Sequence, residues 1–332
     1  MAEQLTLAVR NYDRTVPILR GDVTVPGADL RTIETTDVAA MFTGMFTGEY
    51  DISEMSLAEL IYARSRGLDD FIAIPVFPYR MFRHGFIFAT PGACVDSAQD
   101  ISGKRVALTR AVVTAGVWMR GMLTERYGVS AADTSWHYAS IHHWKGKGEK
   151  EDVTPRDGST YRLLTGTGPN PQAIAERALL EGEVDVLCTT RAPADADNGS
   201  GRVVRVFDRY PESEAAYFEQ TRIFPIMHVL AIRRSAVAAA PDLPVALFEA
   251  FAEAKRISKQ RVEADASVSL AWKDYYLAKE REVLGDNPWA YGLEANRHAL
   301  VKFLGYCHEQ GLSAKKLEPE DLFAEGTWAL TD

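Results

Sequence analysis

The sequence predicts an α/β protein of two lobes, each a mainly parallel sheet flanked by helices. Short apolar strand signals alternate with helix signals from Leu5 to Val76, and β-α-β-α order builds a parallel sheet with helices on its faces. A second strand-and-helix series begins after His84–Thr90, and a later apolar run, Ile226–Ile232, reads as a strand returning to the first lobe. The chain has 332 residues, too many for one small core and suited to two domains. The expected division is residues 1–89 and 225–332 for one lobe and 90–224 for the other, with a ligand cleft between them.

In order, Leu5–Val9 reads as a strand and Arg14–Arg20 as a short helix, with Pro17 allowed in its first turn. Asp29–Glu34 is a second strand. Thr36 can cap a helix from Asp37 to Thr47, whose apolar side carries Val38, Met41, Phe42 and Met45. Tyr50–Ile52 reads as a third strand. Ser56 and Glu59 have capping-box spacing and open a helix to Arg66. Phe71–Val76 is the fourth strand. Further on, Gly103–Leu108 and Val184–Cys188 read as strands, and Val112–Tyr127 and Asn170–Glu181 as helices. Residues 146–159 are charged and turn-rich, as in a surface loop or flap. From Ser235 to Gln310 the pattern is mostly helical, broken at Gly285–Pro288.

The apolar share is 46% and the charged share 25%, so the chain is expected to fold as an ordinary globular protein. A net charge of -9 without a basic block argues against nucleic acid, which rewards clustered Lys and Arg. Cys94, Cys188 and Cys307 are far apart and odd in number, which suggests reduced thiols. The opening MAEQLTLAVR runs into an apolar strand without a basic leader, and no segment has the apolar length of a membrane span. The expectation is a cytoplasmic protein without a membrane partner. The long C-terminal helices leave a homo-oligomer open.

Ligands of open parallel sheets sit beyond the carboxyl ends of strands, near helix N-termini. Asn11–Thr15, Asp51–Ser56 and Thr109–Thr114 have that strand-to-helix form, so Ser53, Ser56 and Thr114 are candidate anion donors or simple caps. Glu54 would oppose an anion unless it carries a proton or pairs with a cation. Phe77–Phe86 sets Arg80, Arg83 and His84 among aromatics. Arginine can hold a carboxylate by paired hydrogen bonds, and histidine can carry a proton near neutral pH; a surface salt-bridge cluster is the alternative. His228 lies on an apolar segment and is either structural or a second acid. Trp289, Tyr291 and Arg297 form another dense group, suited to walling an aromatic ligand or to packing a helix start. His137, His142 and His143 match no established metal spacing. Nucleotide-binding, serine-hydrolase and zinc-protease motifs are absent.

DISEMSLAELIYAR (Asp51–Arg64), FPYRMFRHGFIF (Phe77–Phe88), Gly103–Val129, FPIMHVLAIRR (Phe224–Arg234) and NPWAYGLEANRHAL (Asn287–Leu300) together resemble the 4,5-dihydroxyphthalate decarboxylase family. The resemblance weakens between Trp136 and Thr167. It implies a type II periplasmic-binding-protein fold and non-oxidative decarboxylation of a small anionic aromatic acid, 4,5-dihydroxyphthalate to protocatechuate or a close analogue. It implies no cofactor and no metal. Arg80 and Arg83 would anchor, His84 or His228 would donate the proton with Glu54 as an alternative carrier, and Trp118, Trp289 and Tyr291 would form walls. A solute-binding or sensor protein, or a lyase or isomerase acting on another ring acid, is the rival expectation.

Overall fold

The computed structural model describes residues 4–141, 153–264 and 268–332. These form two compact units: the described parts of Met1–Arg80, Ile226–Val301 and Leu317–Asp332, and those of Met81–Pro225 with Lys302–Lys316.

The first unit opens with β1 (Leu5–Val9), α1 (Val16–Leu19), β2 (Leu30–Glu34), α2 (Val38–Thr47), β3 (Ile52–Ser56), α3 (Leu57–Ser65) and β4 (Phe71–Arg80). Central strands lose the in–out alternation because both faces are covered: Leu7, Ala8 and Val9 of β1 and every residue of β3 are buried. Asp37, and not Thr36, caps α2, its carboxylate accepting from the Ala40 N–H at 3.0 Å. Ser56 caps α3 as expected, accepting from the Glu59 N–H at 3.4 Å. The third strand starts at Ile52 and not Tyr50, because the Tyr50 ring turns against Gly44, where a Cβ would clash at 2.3 Å. β4 runs past Pro75 and Pro78 to Arg80; it is an edge strand, and an edge tolerates prolines that cannot donate.

The second unit contains β5 (Ile87–Ala89), β6 (Arg105–Arg110), α4 (Thr114–Tyr127), β7 (Ser135–Ser140), β8 (Tyr161–Leu163), α5 (Pro171–Leu180), β9 (Val186–Cys188), β10 (Val204–Arg205) and α6 (Tyr210–Thr221). Its sheet has the order β10-β5-β9-β6-β7-β8, with β9, β6, β7 and β8 parallel and β5 antiparallel to both neighbours. The described end of the charged segment is pinned and is no free flap. Val153 and Ser159 are buried, the Asp157 carboxylate meets Arg120 Nη2 at 2.8 Å, and the Arg156 N–H donates to the Glu309 carbonyl at 2.6 Å. Trp118 of α4 stacks on Phe303 with ring centroids 4.8 Å apart.

The chain re-enters the first unit as β11 (Ile226–Arg233), followed by α7 (Arg234–Ala239), α8 (Leu243–Ala264), α9 (Lys273–Leu284) and α10 (Leu293–Glu309). The sheet order is β2-β1-β3-β11-β4, with β1 parallel to β2 and β3, and β11 antiparallel to β3 and β4. The division between units falls inside α10, whose residues up to Val301 belong to the first and from Lys302 to the second. Among the described residues no helix is long and apolar enough to cross a membrane.

Candidate active site

Strand register creates a buried acid–imidazole pair in the first unit. His228 lies opposite Ser56 and Leu230 opposite Glu54 across the β11–β3 ladder. Residues two apart on a strand share a face, so Glu54 and His228 are diagonal neighbours within reach of long side chains. Register shifts flank His228 in the β11–β4 ladder, which also sets it opposite Tyr79. Bulges of this kind re-aim side chains beside functional sites.

The Glu54 side chain is fully buried, and its Oε1 accepts from His228 Nδ1 at 2.5 Å and from the Tyr12 hydroxyl at 2.7 Å. Its Oε2 accepts from the Arg10 N–H at 3.2 Å. Burial pushes the carboxyl up, but the hydrogen bond and charge of His228, then Tyr12 and the Arg10 N–H, outweigh it and hold Glu54 below its ordinary value. A carboxylate only accepts, so His228 Nδ1 carries the shared proton and Nε2 is the position left for exchange. The Tyr12 hydroxyl is driven far above its ordinary range, first by burial and then by the Glu54 charge, so it stays a donor.

Aromatic rings frame this triad. Tyr79 stacks on Tyr12 at 5.6 Å with 8° between planes, and its ring centroid lies 5.0 Å from that of His228. Phe42 meets the imidazole edge-on at 5.1 Å. Two guanidinium groups flank Tyr12: Arg10 at 5.3 Å and Arg14 at 4.6 Å from its centroid. Tyr12, Arg10 and Tyr79 were not singled out from the sequence. The available signal was position, since Arg10 and Tyr12 directly follow the first strand in a strand-to-helix turn.

The other sequence candidates are placed elsewhere. Ser53 turns its hydroxyl to the Glu54 carbonyl at 2.9 Å, and Ser56 caps α3. Arg80 is buried and donates through Nη2 to the Ala290 carbonyl at 2.7 Å and to Asn296 Oδ1; burial lowers it to about 10, so it stays charged at neutral pH. Gly292 has φ 98° and donates its N–H to the Pro75 carbonyl at 2.8 Å, in a region where a side chain would be strained. The stretch from Ala290 to Asn296 is therefore a brace against β4. Tyr291 is buried within it, with Lys255 Nζ 4.5 Å from its ring centroid. Trp289 packs under Arg14 at 3.9 Å and lines a pocket of about 300 Å³ with Arg14, Lys255, Lys259 and Leu277; neither Glu54 nor His228 lines that pocket. Arg297 pairs with Glu294 and Glu320, each at 2.5 Å.

Arg83, His84, Thr114 and Trp118 belong to the second unit. Thr114 begins α4, and Trp118 is buried against Phe303 and Tyr306. Arg83 Nη1 donates to the Thr190 carbonyl at 3.3 Å. His84 is buried among Tyr127, Phe207 and Tyr217, neither ring nitrogen has a hydrogen bond among the described residues, and burial lowers it to about 4. Its Nδ1 lies 4.0 Å from Glu214, whose carboxyl burial raises to about 7. Among the described residues no three His, Cys, Asp or Glu side chains are grouped as a metal would need. His137 contacts Ser135 Oγ at 3.1 Å, while His142 and His143 lie outside the described residues.

Two mixed α/β units with this chain path define the periplasmic-binding-protein fold. The chain is similar to the periplasmic aliphatic sulphonate binding protein SsuA from Escherichia coli, with TM-score 0.55, 14% identity, and coverage of 98% of this chain and 93% of that one. It is also similar to the alkanesulfonate-binding protein SsuA from Xanthomonas axonopodis pv. citri, with TM-score 0.52, 13% identity, and coverage of 97% and 98%. No family model matches the chain. Sequence relatives are more specific. A 4,5-dihydroxyphthalate decarboxylase of Comamonas testosteroni is 33% identical over 96% of both chains, and one of Pseudomonas putida is 30% identical over 64% of this chain and 80% of the other. The chain belongs to the 4,5-dihydroxyphthalate decarboxylase family, and its reaction class is that of a carboxy-lyase.

Proposed function

We propose that the chain removes one carboxylate from a hydroxylated aromatic dicarboxylate, 4,5-dihydroxyphthalate or a close analogue, and that His228 delivers the proton. The observation that carries this reading is the buried Glu54 carboxylate bound to His228 Nδ1 and Tyr12. Its negative charge stabilises an imidazolium whose Nε2–H is the acid. The proton goes to the ring carbon bearing the leaving carboxylate, and a ring π pair forms the new C–H bond. The hydroxyl para to that carbon donates electron density to the resulting cation. The carbon–carboxylate bond then breaks, its electron pair restores the aromatic ring, and CO2 departs. Water returns a proton to His228. The names of the two relatives support the substrate class.

The test is CO2 release by the purified chain from 4,5-dihydroxyphthalate and a panel of hydroxylated aromatic acids, set beside His228→Asn and His84→Asn. The expected result is release by the parent chain and a kcat about 10²- to 10⁴-fold lower in His228→Asn, the usual scale for losing a general acid. Full turnover by a folded His228→Asn protein would end the assignment of His228. Tight binding of a panel member without release by the parent chain would replace the enzyme with a binding or sensing protein.

A further inference from the structure

We infer that Arg10 holds the carboxylate that the substrate keeps, and so selects aromatic acids with two adjacent carboxylates; this rests on the decarboxylase reading. The arginines suggested by the sequence are committed elsewhere, Arg80 to Ala290 and Asn296, Arg83 to Thr190, and Arg297 to Glu294 and Glu320. Arg14 is tied to Asp13 at 2.8 Å and to the Pro78 carbonyl at 2.7 Å. Arg10 differs. Among the described residues its guanidinium has no carboxylate at ion-pair distance and no hydrogen bond, and it is half-buried. It lies 5.3 Å from the Tyr12 ring centroid and 6.0 Å from that of Tyr79, the two rings that border Glu54 and His228.

A partly desolvated cation without a counter-ion is costly, and an arriving carboxylate relieves that cost through two parallel hydrogen bonds. The same residue's N–H is bonded to Glu54 Oε2 at 3.2 Å. Anchor and proton donor are thus fixed on one backbone framework, as an acid with neighbouring carboxylates requires: one held by Arg10, the other presented to His228. A monocarboxylate can use only one of these positions.

Phthalate, which has both carboxylates but no ring hydroxyl, is the probe. Its affinity is measured by calorimetry for the parent chain, Arg10→Met and Arg10→Lys, with benzoate as comparison and near-ultraviolet circular dichroism to confirm folding. Phthalate binding is expected to weaken about 10- to 100-fold in Arg10→Met, the range for a charge-assisted contact, with partial recovery in Arg10→Lys. Benzoate is expected to bind the parent chain more weakly than phthalate, and to weaken further in Arg10→Met. On 4,5-dihydroxyphthalate, KM should rise by a similar factor while kcat changes less. CO2 release by the parent chain together with unchanged phthalate affinity and KM in folded Arg10→Met would overturn the role of Arg10 and leave the decarboxylase reading standing. Arg10-dependent phthalate binding with no CO2 release from any hydroxylated acid would keep the anchor and remove the decarboxylase. A parent chain that neither binds phthalate nor releases CO2 would remove both.

Discussion

Glu54 has no exposed side-chain surface, yet it is held as a carboxylate by three donors. Replacing it with Gln keeps the shape and removes the negative charge held against His228 Nδ1. Glu54→Gln should lower kcat about 10²- to 10⁴-fold, and Tyr12→Phe, which removes one donor to a charged group, about 10-fold. The pH dependence of stability follows from the depressed value of Glu54. An unfolded carboxyl binds its proton more readily than this one, so the pair's contribution is fully present above the ordinary value of 4.5 and is lost as pH falls through the lower folded value. Urea unfolding from pH 3 to pH 6 should therefore show a steeper loss on acidification in the parent chain than in Glu54→Gln. The sequence marked Glu54 and His228 separately, with Glu54 flagged as needing a cation or a proton role. Their pairing depends on strand register across 174 positions, which no local pattern encodes. Arg10 passed unmarked, and Tyr12 lay inside the flagged Asn11–Thr15 turn without being singled out, because residues just after a strand carry no periodic signal.

At the scale of elements, buried strands and capped helices were the most legible parts. β1 and the Ser56 cap follow directly from an apolar run and a polar cap residue. The short β5, β8 and β10, of two or three residues each, and α6 were not, since such short strands owe their form to neighbours and α6 buries only Tyr217. α6 nonetheless places Glu214 beside His84, and the two groups oppose each other in pH. His84 is lowered to about 4 by burial, so the unfolded chain binds its proton more tightly and stability rises with pH until about 6.5. Glu214 is raised to about 7 by burial, so the folded chain holds its proton and stability falls as pH rises from about 4.5 through 7. Glu214→Gln removes only the second effect. Between pH 5 and pH 8 the parent chain should lose about 1–3 kcal/mol relative to Glu214→Gln in urea unfolding. Parallel curves would show that Glu214 is not buried as a proton-holding group.

For the whole molecule, the decisive feature is that neither unit is one continuous stretch of chain. The backbone changes unit at 80/81, 225/226, 301/302 and 316/317. The last return matters most to the second unit, because the core of α4 is completed by residues from nearly two hundred positions away. Trp118 stacks on Phe303, Gly121 leaves room for the Tyr306 ring where a Cβ would clash at 2.3 Å, and Gln310 Nε2 donates to the Val117 carbonyl at 3.0 Å. A fragment of residues 81–225 contains all the strands of its sheet but exposes the Trp118 face of α4. Removing one such aromatic partner from a core costs about 3–5 kcal/mol, comparable with the whole stability of a small domain. The fragment alone should therefore keep its far-ultraviolet signal, lose the near-ultraviolet tryptophan band and bind a hydrophobic dye. A fusion of 81–225 to 302–316 through a flexible linker should recover the band, and the same fusion carrying Phe303→Ala should recover much less. A native band from 81–225 by itself would mean that the Trp118–Phe303 stack adds little to the fold of the second unit.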